Sequence, residues 1–181
     1  MEWKIDPAHS AVDFSVRYLV STVHGRFTGL RGPVRLSDVP EDETPELVSF
    51  EAVFETGSFE TGVPPRDQRI TGAEFLDAAT YHEAKVRLIS LTKGEPPVYL
   101  MTAELTLHGV TRTVELVAET AGPVKDPFGV LRVGATATGR LKRSDFGVNA
   151  FPGAISDDIE FTVNVQAVPA SVPDDQLPPA R

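Results

Sequence analysis

The stretch "HSAVDFSVRYLV", residues 9–20, decides the fold. Val12, Phe14 and Val16 alternate with Asp13, Ser15 and Arg17, so one face is oily and the other wet. A half-buried β-strand reads that way. What the oily face meets, a packed core or an enclosed space, is the question on which function turns.

The same alternation recurs on either side of a single interruption. "HGRFTGLRGPVRLS" (24–37) reads as a second strand, with Gly29 and Gly32 placed for a bulge or a sharp bend. "ELVSFEAVFETG" (46–57) puts Val48, Phe50, Ala52 and Phe54 on one face, and "EAKVRLISL" (83–91) does so with Ala84, Val86 and Leu88. "VYLMTAELTLHG" and "TRTVELVAETAG" flank a tight connection at Gly109–Val110, the pattern of a long hairpin. "VLRVGATATGRLKRS" (130–144) and "DDIEFTVNVQAV" (157–168) complete about eight strands, joined by turn-rich pieces such as "KDPFG". The interruption is "TGVPPRDQRITGAEFLDAATYHE" (61–83), between the third and fourth strands. Its paired prolines suit a first helical turn, and Thr71 and Glu74 have capping-box spacing ahead of Phe75 and Leu76. One or two short helices are expected there.

Strands of about ten residues, consecutive and antiparallel, exceed the usual five or six and favour a closed up-and-down barrel. Closure also removes the open edges a long sheet would have to protect. A two-sheet sandwich is the competing architecture. The barrel is assigned to residues 1–168. The proline-rich end, "VPASVPDDQLPPAR", has no apolar period, and residues 169–181 are expected to form a flexible tail.

With 181 residues, 41% hydrophobic and 24% charged, the chain fits one globular domain. Its formal net charge of -9 and the lack of any Lys/Arg run argue against nucleic acid as a partner. No apolar run has the length of a membrane span, so membrane insertion is not expected. The start, "MEWKIDPAHS", has no signal-peptide pattern, which reads as cytoplasmic, or periplasmic had a leader been removed. There is no cysteine, and the histidines His9, His24, His82 and His108 show no ligand spacing, so neither metal nor cofactor is expected. His9 is expected to tie the start of the first strand to a backbone carbonyl.

An eight-stranded barrel is the size at which side chains either just fill the interior or leave room for one small ligand. The inferred inner faces mix Phe14, Phe50, Phe54 and Phe161 with Ala52, Ala84, Ala103, Ala118, Ala135 and Ala137. Solid packing needs more bulk at facing positions than these alanines supply. Residual volume lined by carbon is therefore favoured over a filled core.

Several stretches carry a resemblance: "WKIDPAHSAVDFSVRY", "FETGSFETG" leading into "RDQRITGAEFLD", "LTLHGVTRTVEL", "DPFG", and "LKRSDFG" before the last strand. In this order and spacing, from Trp3 to about Val168, the chain resembles the YceI-like family of lipocalin-like, polyisoprenoid-binding proteins. The resemblance implies an all-β fold, an eight-stranded antiparallel lipocalin-like barrel with a short helical segment between strands 3 and 4. It also implies a long apolar ligand, isoprenoid or other lipid, in an elongated pore, and a homodimer; many such proteins are exported. The chain departs from the family pattern at Tyr18 and Arg69, where histidines are usual, at Ile70 for leucine and at Ser156 for glycine. Two imidazoles are thus missing from any head-group site.

The expectation is a binding module that carries or sequesters a long isoprenoid or acyl chain. Its pore wall is predicted as Val12, Phe14, Val16, Phe50, Phe54, Val86, Leu88, Met101, Leu105, Leu116, Phe161 and Val163. Tyr18, Arg66 and Arg69 are candidate head-group contacts, guanidinium suiting phosphate or carboxylate. The plainer reading has Asp67 charging a helix N-terminus, with Lys142, Arg143, Ser144 and Asp145 before Gly147 forming a local turn. No G-x-S-x-G, phosphate loop or H-E-x-x-H is present, so no catalytic residue is assigned. The alternatives are an enzyme acting on a polyprenyl or acyl lipid, and a filled barrel that binds another protein on its outside.

Overall fold

In the computed structural model, which describes residues 1–40, 43, 45–94 and 98–178, the alternating segments form one antiparallel sheet. Its strands are β1 (Glu2–Ile5), β2 (Ala11–Tyr18), β3 (Ser21–Phe27), β4 (Pro33–Leu36) and β5 (Leu47–Glu55). They continue as β6 (Glu83–Lys93), β7 (Val98–Leu107), β8 (Val110–Lys125), β9 (Leu131–Lys142) and β10 (Ile155–Pro169). β10 pairs with β9 on one edge; on the other it pairs first with β2 and then with β1, so the sheet closes on itself. β1 and β2 are two pieces of one stave, and β4 and β3 beside them are two pieces of the next. Counted by staves, this is a closed eight-stranded barrel.

Both broken staves have local causes. In "DPAHS", Pro7 has no N–H for a ladder, and the Asp6 carboxylate accepts the Ala8 N–H at 3.0 Å to start a 3-10 turn over Pro7–His9. In "TGLRG", Gly32 has φ 151°, and a Cβ there would lie 2.2 Å from the Glu51 carbonyl oxygen. Only glycine allows that approach, so the strand expected over 24–37 is two, bent where the glycines stand. A register shift between Arg35 and Leu36 turns Leu47 inward and leaves Val48 56% exposed, correcting its predicted inward face. The long hairpin forms, with its tight connection one residue before the expected Gly109–Val110: His108 and Gly109, at φ 52° and 73°, make the two-residue turn, and Val110 starts β8.

The helical interruption is a single helix, α1 (Pro64–Ile70), with its two prolines in the first turn. Thr71 and Glu74 do not form a capping box. Thr71 is the C-cap, its hydroxyl donating back to the Asp67 carbonyl at 3.0 Å, and residues 71–80 continue as turns. Asp67 sits in the first turn and accepts the Thr61 N–H at 3.0 Å, fixing the chain's entry into the helix.

One end of the barrel is capped by this segment and by residues 143–154. Buried Phe75, Leu76 and Val148 pack there with Phe27, Phe59, Ile70, Leu107 and Ile155. Arg143, 9% exposed, donates to the carbonyls of Val148 and Ala150 at 2.8 Å and of Ile155 and Ser156 at 3.0 Å. It folds its own loop and has a structural role, as does the Asp145–Gly147 turn, where Gly147 has φ 74°. At the other end lie the ends of β4 and β6, the starts of β5 and β7, and the β8–β9 hairpin. There, past Pro169, Ala170 N–H donates to Glu2 O at 3.0 Å and Lys4 pairs with Asp174.

Candidate ligand cavity

The interior differs from one end to the other. Toward the capped end, Phe14 stacks on Phe59 with ring centres 5.2 Å apart, and Phe27 meets Phe54 at 5.0 Å and Phe14 at 5.7 Å. The Phe14 ring lies over Gly25, and Phe161 over Gly139, where a Cβ would come within 2.4 Å and 2.7 Å of the respective rings. These aromatics fill that half. In the other half the strands supply small groups, and a cavity of about 120 Å³ remains. Its lining includes Ala52, Ala118, Ala135, Ala137 and Gly134. It extends to Leu36, Pro45, Leu47, Tyr99 and Gly122 at the uncapped end, which is its mouth.

Half of the predicted wall lines this space: Val12, Phe50, Val86, Met101, Leu116 and Val163. Phe14, Phe54 and Phe161 share their strands' inward faces but lie one layer nearer the capped end. Leu105 is buried in the core cluster, Leu88 packs against it, and Val16 stands still further along β2. None of these reaches the cavity. Leu30, Val34, Leu91, Val133, Val165 and Ala167 do, and were not predicted. Val165 carried a readable signal, being in register with Phe161 and Val163; Leu30 sits in the irregular bend between β3 and β4 and carried none.

The proposed head-group residues lie away from the mouth. Tyr18 ends β2 at the capped end, 46% exposed. Arg66 Nε donates to the Thr61 hydroxyl at 2.7 Å and Arg69 pairs with Glu74 at 3.3 Å. The Arg69 guanidinium also lies 4.6 Å over the Phe151 ring. Both arginines are engaged in holding α1 and the loop beside it. The polar side chains on the cavity wall are instead Tyr99 and Thr120. Neither was singled out from sequence, because an inward Tyr or Thr in an alternating strand looks like any strand residue.

Outside the mouth half, a charged network fastens the break between β1 and β2 to β9 and β10. Asp6 is fully buried and receives Arg132 at 2.7 Å; Arg132 also donates to Gln166 at 2.8 Å and to Asp126 at 2.8 Å. His9 Nδ1 lies 2.8 Å from Asp6, so it ties the turn to a carboxylate rather than to the expected backbone carbonyl. Burial pushes the Asp6 carboxyl up, but hydrogen bonds from Arg132 and His9 outweigh it and hold the group below its ordinary value. Arg132, opposed by burial and favoured by its two carboxylates, is held above its own, and Asp126 is lowered chiefly by Arg132. Arg132 and Gln166 alternate with the cavity-lining Val133, Val165 and Ala167, so the network stands outside the wall. Among the described residues no group of three or more His, Asp or Glu is placed to hold a metal.

A larger groove, about 650 Å³, lies open on the outer face of the sheet. Two cross-strand rows run through it, Leu100–Val117–Thr138–Thr162–Asp13 and Thr102–Glu115–Arg140–Glu160–Ser15–His24. Phe14, Met101, Leu116, Gly139 and Phe161 lie at its floor, and Arg140 pairs with Glu160 across it, a polar rim that the carbon wall of the inner cavity lacks.

A YceI-like domain model matches residues 3–167. A UPF0312 protein of Pseudomonas putida (strain W619) is 34% identical over 170 residues, 92% of this chain and 86% of the relative. Another from Serratia proteamaculans is 31% identical over 173 residues, 93% and 87% of the two chains. Among solved structures, a Campylobacter jejuni YceI protein superposes with a TM-score of 0.71 at 25% identity, covering 84% of this chain and 88% of that one. Burkholderia cenocepacia BcnA shares the fold, with a TM-score of 0.74 at 18% identity over 90% and 98% of the two chains. With the barrel, its capping segment and a match over nearly its whole length, this chain belongs to the YceI-like family of lipocalin-like barrels.

Proposed function

We propose that the protein binds a long apolar chain, isoprenoid or acyl, inside the barrel, and carries or sequesters it. The observation that carries this reading is the carbon-lined cavity confined to the uncapped half, where Ala118 faces Ala137 and Ala121 faces Gly134 across β8 and β9. Burial of ligand surface supplies the driving force, about 25 cal/mol per Å² before ordering costs. An engineered cavity of about 150 Å³ in another protein holds one benzene. At about 120 Å³ the unoccupied space fits a segment of chain, so a long ligand must widen it. Met101, unbranched and on the wall, is the side chain best suited to move aside. At the mouth, the Tyr99 and Thr120 hydroxyls are the hydrogen-bonding side chains within reach of a polar end.

Catalysis is no part of this reading, because Tyr99 is the sole titratable side chain on the described wall. The test is titration with a fluorescent polyene fatty acid. The wild type is expected to bind it, and Ala135→Trp, which fills the cavity from β9, to lose at least tenfold in affinity while keeping its fold. Equal affinity in the folded variant overturns the proposal. Resemblance to the family is also the support for a homodimer, checked by sedimentation.

A further inference from the structure

The β8–β9 hairpin ends in a bare aromatic. Phe128 is 92% exposed and Val124, on the same hairpin, 61%. The turn that carries this ring is held by hydrogen bonds. One Asp126 carboxylate oxygen accepts the N–H groups of Phe128 and Val130, each at 2.9 Å, and the Gly129 N–H donates to the Asp126 carbonyl at 2.9 Å. The other carboxylate oxygen takes Arg132 at 2.8 Å, and Arg132 is itself anchored on buried Asp6. The tip is therefore braced to the barrel wall through two ion pairs.

The hairpin's position supplies a reason for that bracing. Gly122 at its base on β8, and Val133 and Gly134 on β9, line the cavity. Three strand steps from Gly122 to Lys125, at about 3.3 Å each, carry the turn roughly 10 Å beyond the wall, on the side of the mouth. We propose that this hairpin is a bilayer-contact tip: Phe128 and Val124 enter the interface of a neutral lipid surface and set the mouth against it. The proposal rests on the reading of the cavity as a site for an apolar chain, whose reservoir in water is a lipid phase. Charge selects the kind of surface. Around the mouth Asp38 pairs with the N-terminal ammonium and Asp174 with Lys4, and exposed Glu119 and Lys125 stand on β8, so no cationic cluster offsets the chain's net charge of -9, which repels anionic headgroups. A single phenyl anchors weakly, which gives a reversible touch suited to collecting or delivering a ligand.

The molecule contains its own control. Val20, at the tip of the β2–β3 turn, is 90% exposed at the capped end, away from the cavity wall. The one native tryptophan, Trp3, is 2% exposed and gives a constant background. In separate variants, Phe128→Trp is expected to show a blue-shifted emission with phosphatidylcholine vesicles and quenching by brominated lipid, and Val20→Trp neither. Replacing a third of the lipid with phosphatidylserine is expected to weaken the shift. An unshifted Phe128→Trp spectrum at saturating lipid, or equal shifts in the two variants, overturns the proposal and leaves the tip to a protein partner. No ligand is present in these assays, so their outcome is separate from that of the polyene titration. In the loaded system, Phe128→Asp is expected to slow transfer of the polyene from vesicles while leaving its equilibrium affinity unchanged; an unchanged transfer rate contradicts the tip's role.

Discussion

The two halves of the barrel use the same strands and the same in–out alternation, yet one is solid and the other hollow. On β2, Phe14 belongs to the aromatic plug and Val12, two residues away, to the cavity wall. On β5 the same step separates Phe54 from Ala52, and on β10 Phe161 from Val163. The hollow half compensates on its outside, where Arg132 and its carboxylates fasten the broken first stave. The difference teaches that alternation decides which side chains point inward, whereas residue size, layer by layer, decides where the space lies.

Breaking the clamp tests the hollow half most severely. Arg132→Met leaves buried Asp6 with His9 and the Ala8 N–H but without its guanidinium, and a loss of about 3 kcal/mol is expected in urea unfolding; a loss under about 1 kcal/mol shows that the wall does not depend on the clamp. Phe54→Ala in the solid half is expected to cost about 3–5 kcal/mol by cavity creation. Adding bulk sharpens the contrast. Ala103→Leu, at a fully buried core position, is expected to cost about 1–3 kcal/mol, while Ala118→Leu, facing the cavity, is expected to cost nothing or to stabilise. Equal penalties at the two alanines contradict the division into halves. Acid acts through Asp6: its folded-state pKa lies below the ordinary value of about 3.9, so its contribution is complete above that pH and is lost as pH falls through the lower folded value. Unfolding midpoints of wild type and Arg132→Met are therefore expected to draw together as pH falls below the ordinary carboxylate value. Smallest of all, Arg140→Ala removes an exposed pair with Glu160 in the outer groove and is expected to change stability by about 1 kcal/mol or less.

Much of this was legible in the sequence. Alternation located the long strands, the tight β7–β8 turn and the closed barrel, and the paired prolines marked where α1 begins. β1 escaped because four residues before a proline turn are too short to show a period. Thr71 and Glu74 misled because capping-box spacing also arises by chance past a helix end, where a threonine hydroxyl bonds back along the helix instead. The cavity was legible as small residues on inward faces, but its height along the barrel was not. Height depends on the cross-strand register, which sets Val12 opposite Val163 and Ala137, and Phe14 opposite Phe161 and Gly139. No local pattern encodes those long-range pairings. The head-group residues lie away from the cavity for the same reason: Tyr18 ends β2, and Arg66 and Arg69 stand on α1 between β5 and β6, all at the capped end.

The central claim, that the hollow half takes an apolar chain, is tested most directly by native mass spectrometry of protein purified without detergent from its own host, followed by organic extraction. The account predicts a stoichiometric long-chain lipid on the wild type that is absent from Ala135→Trp. A bare mass that stays bare after incubation with polyprenyl and acyl lipids would contradict it.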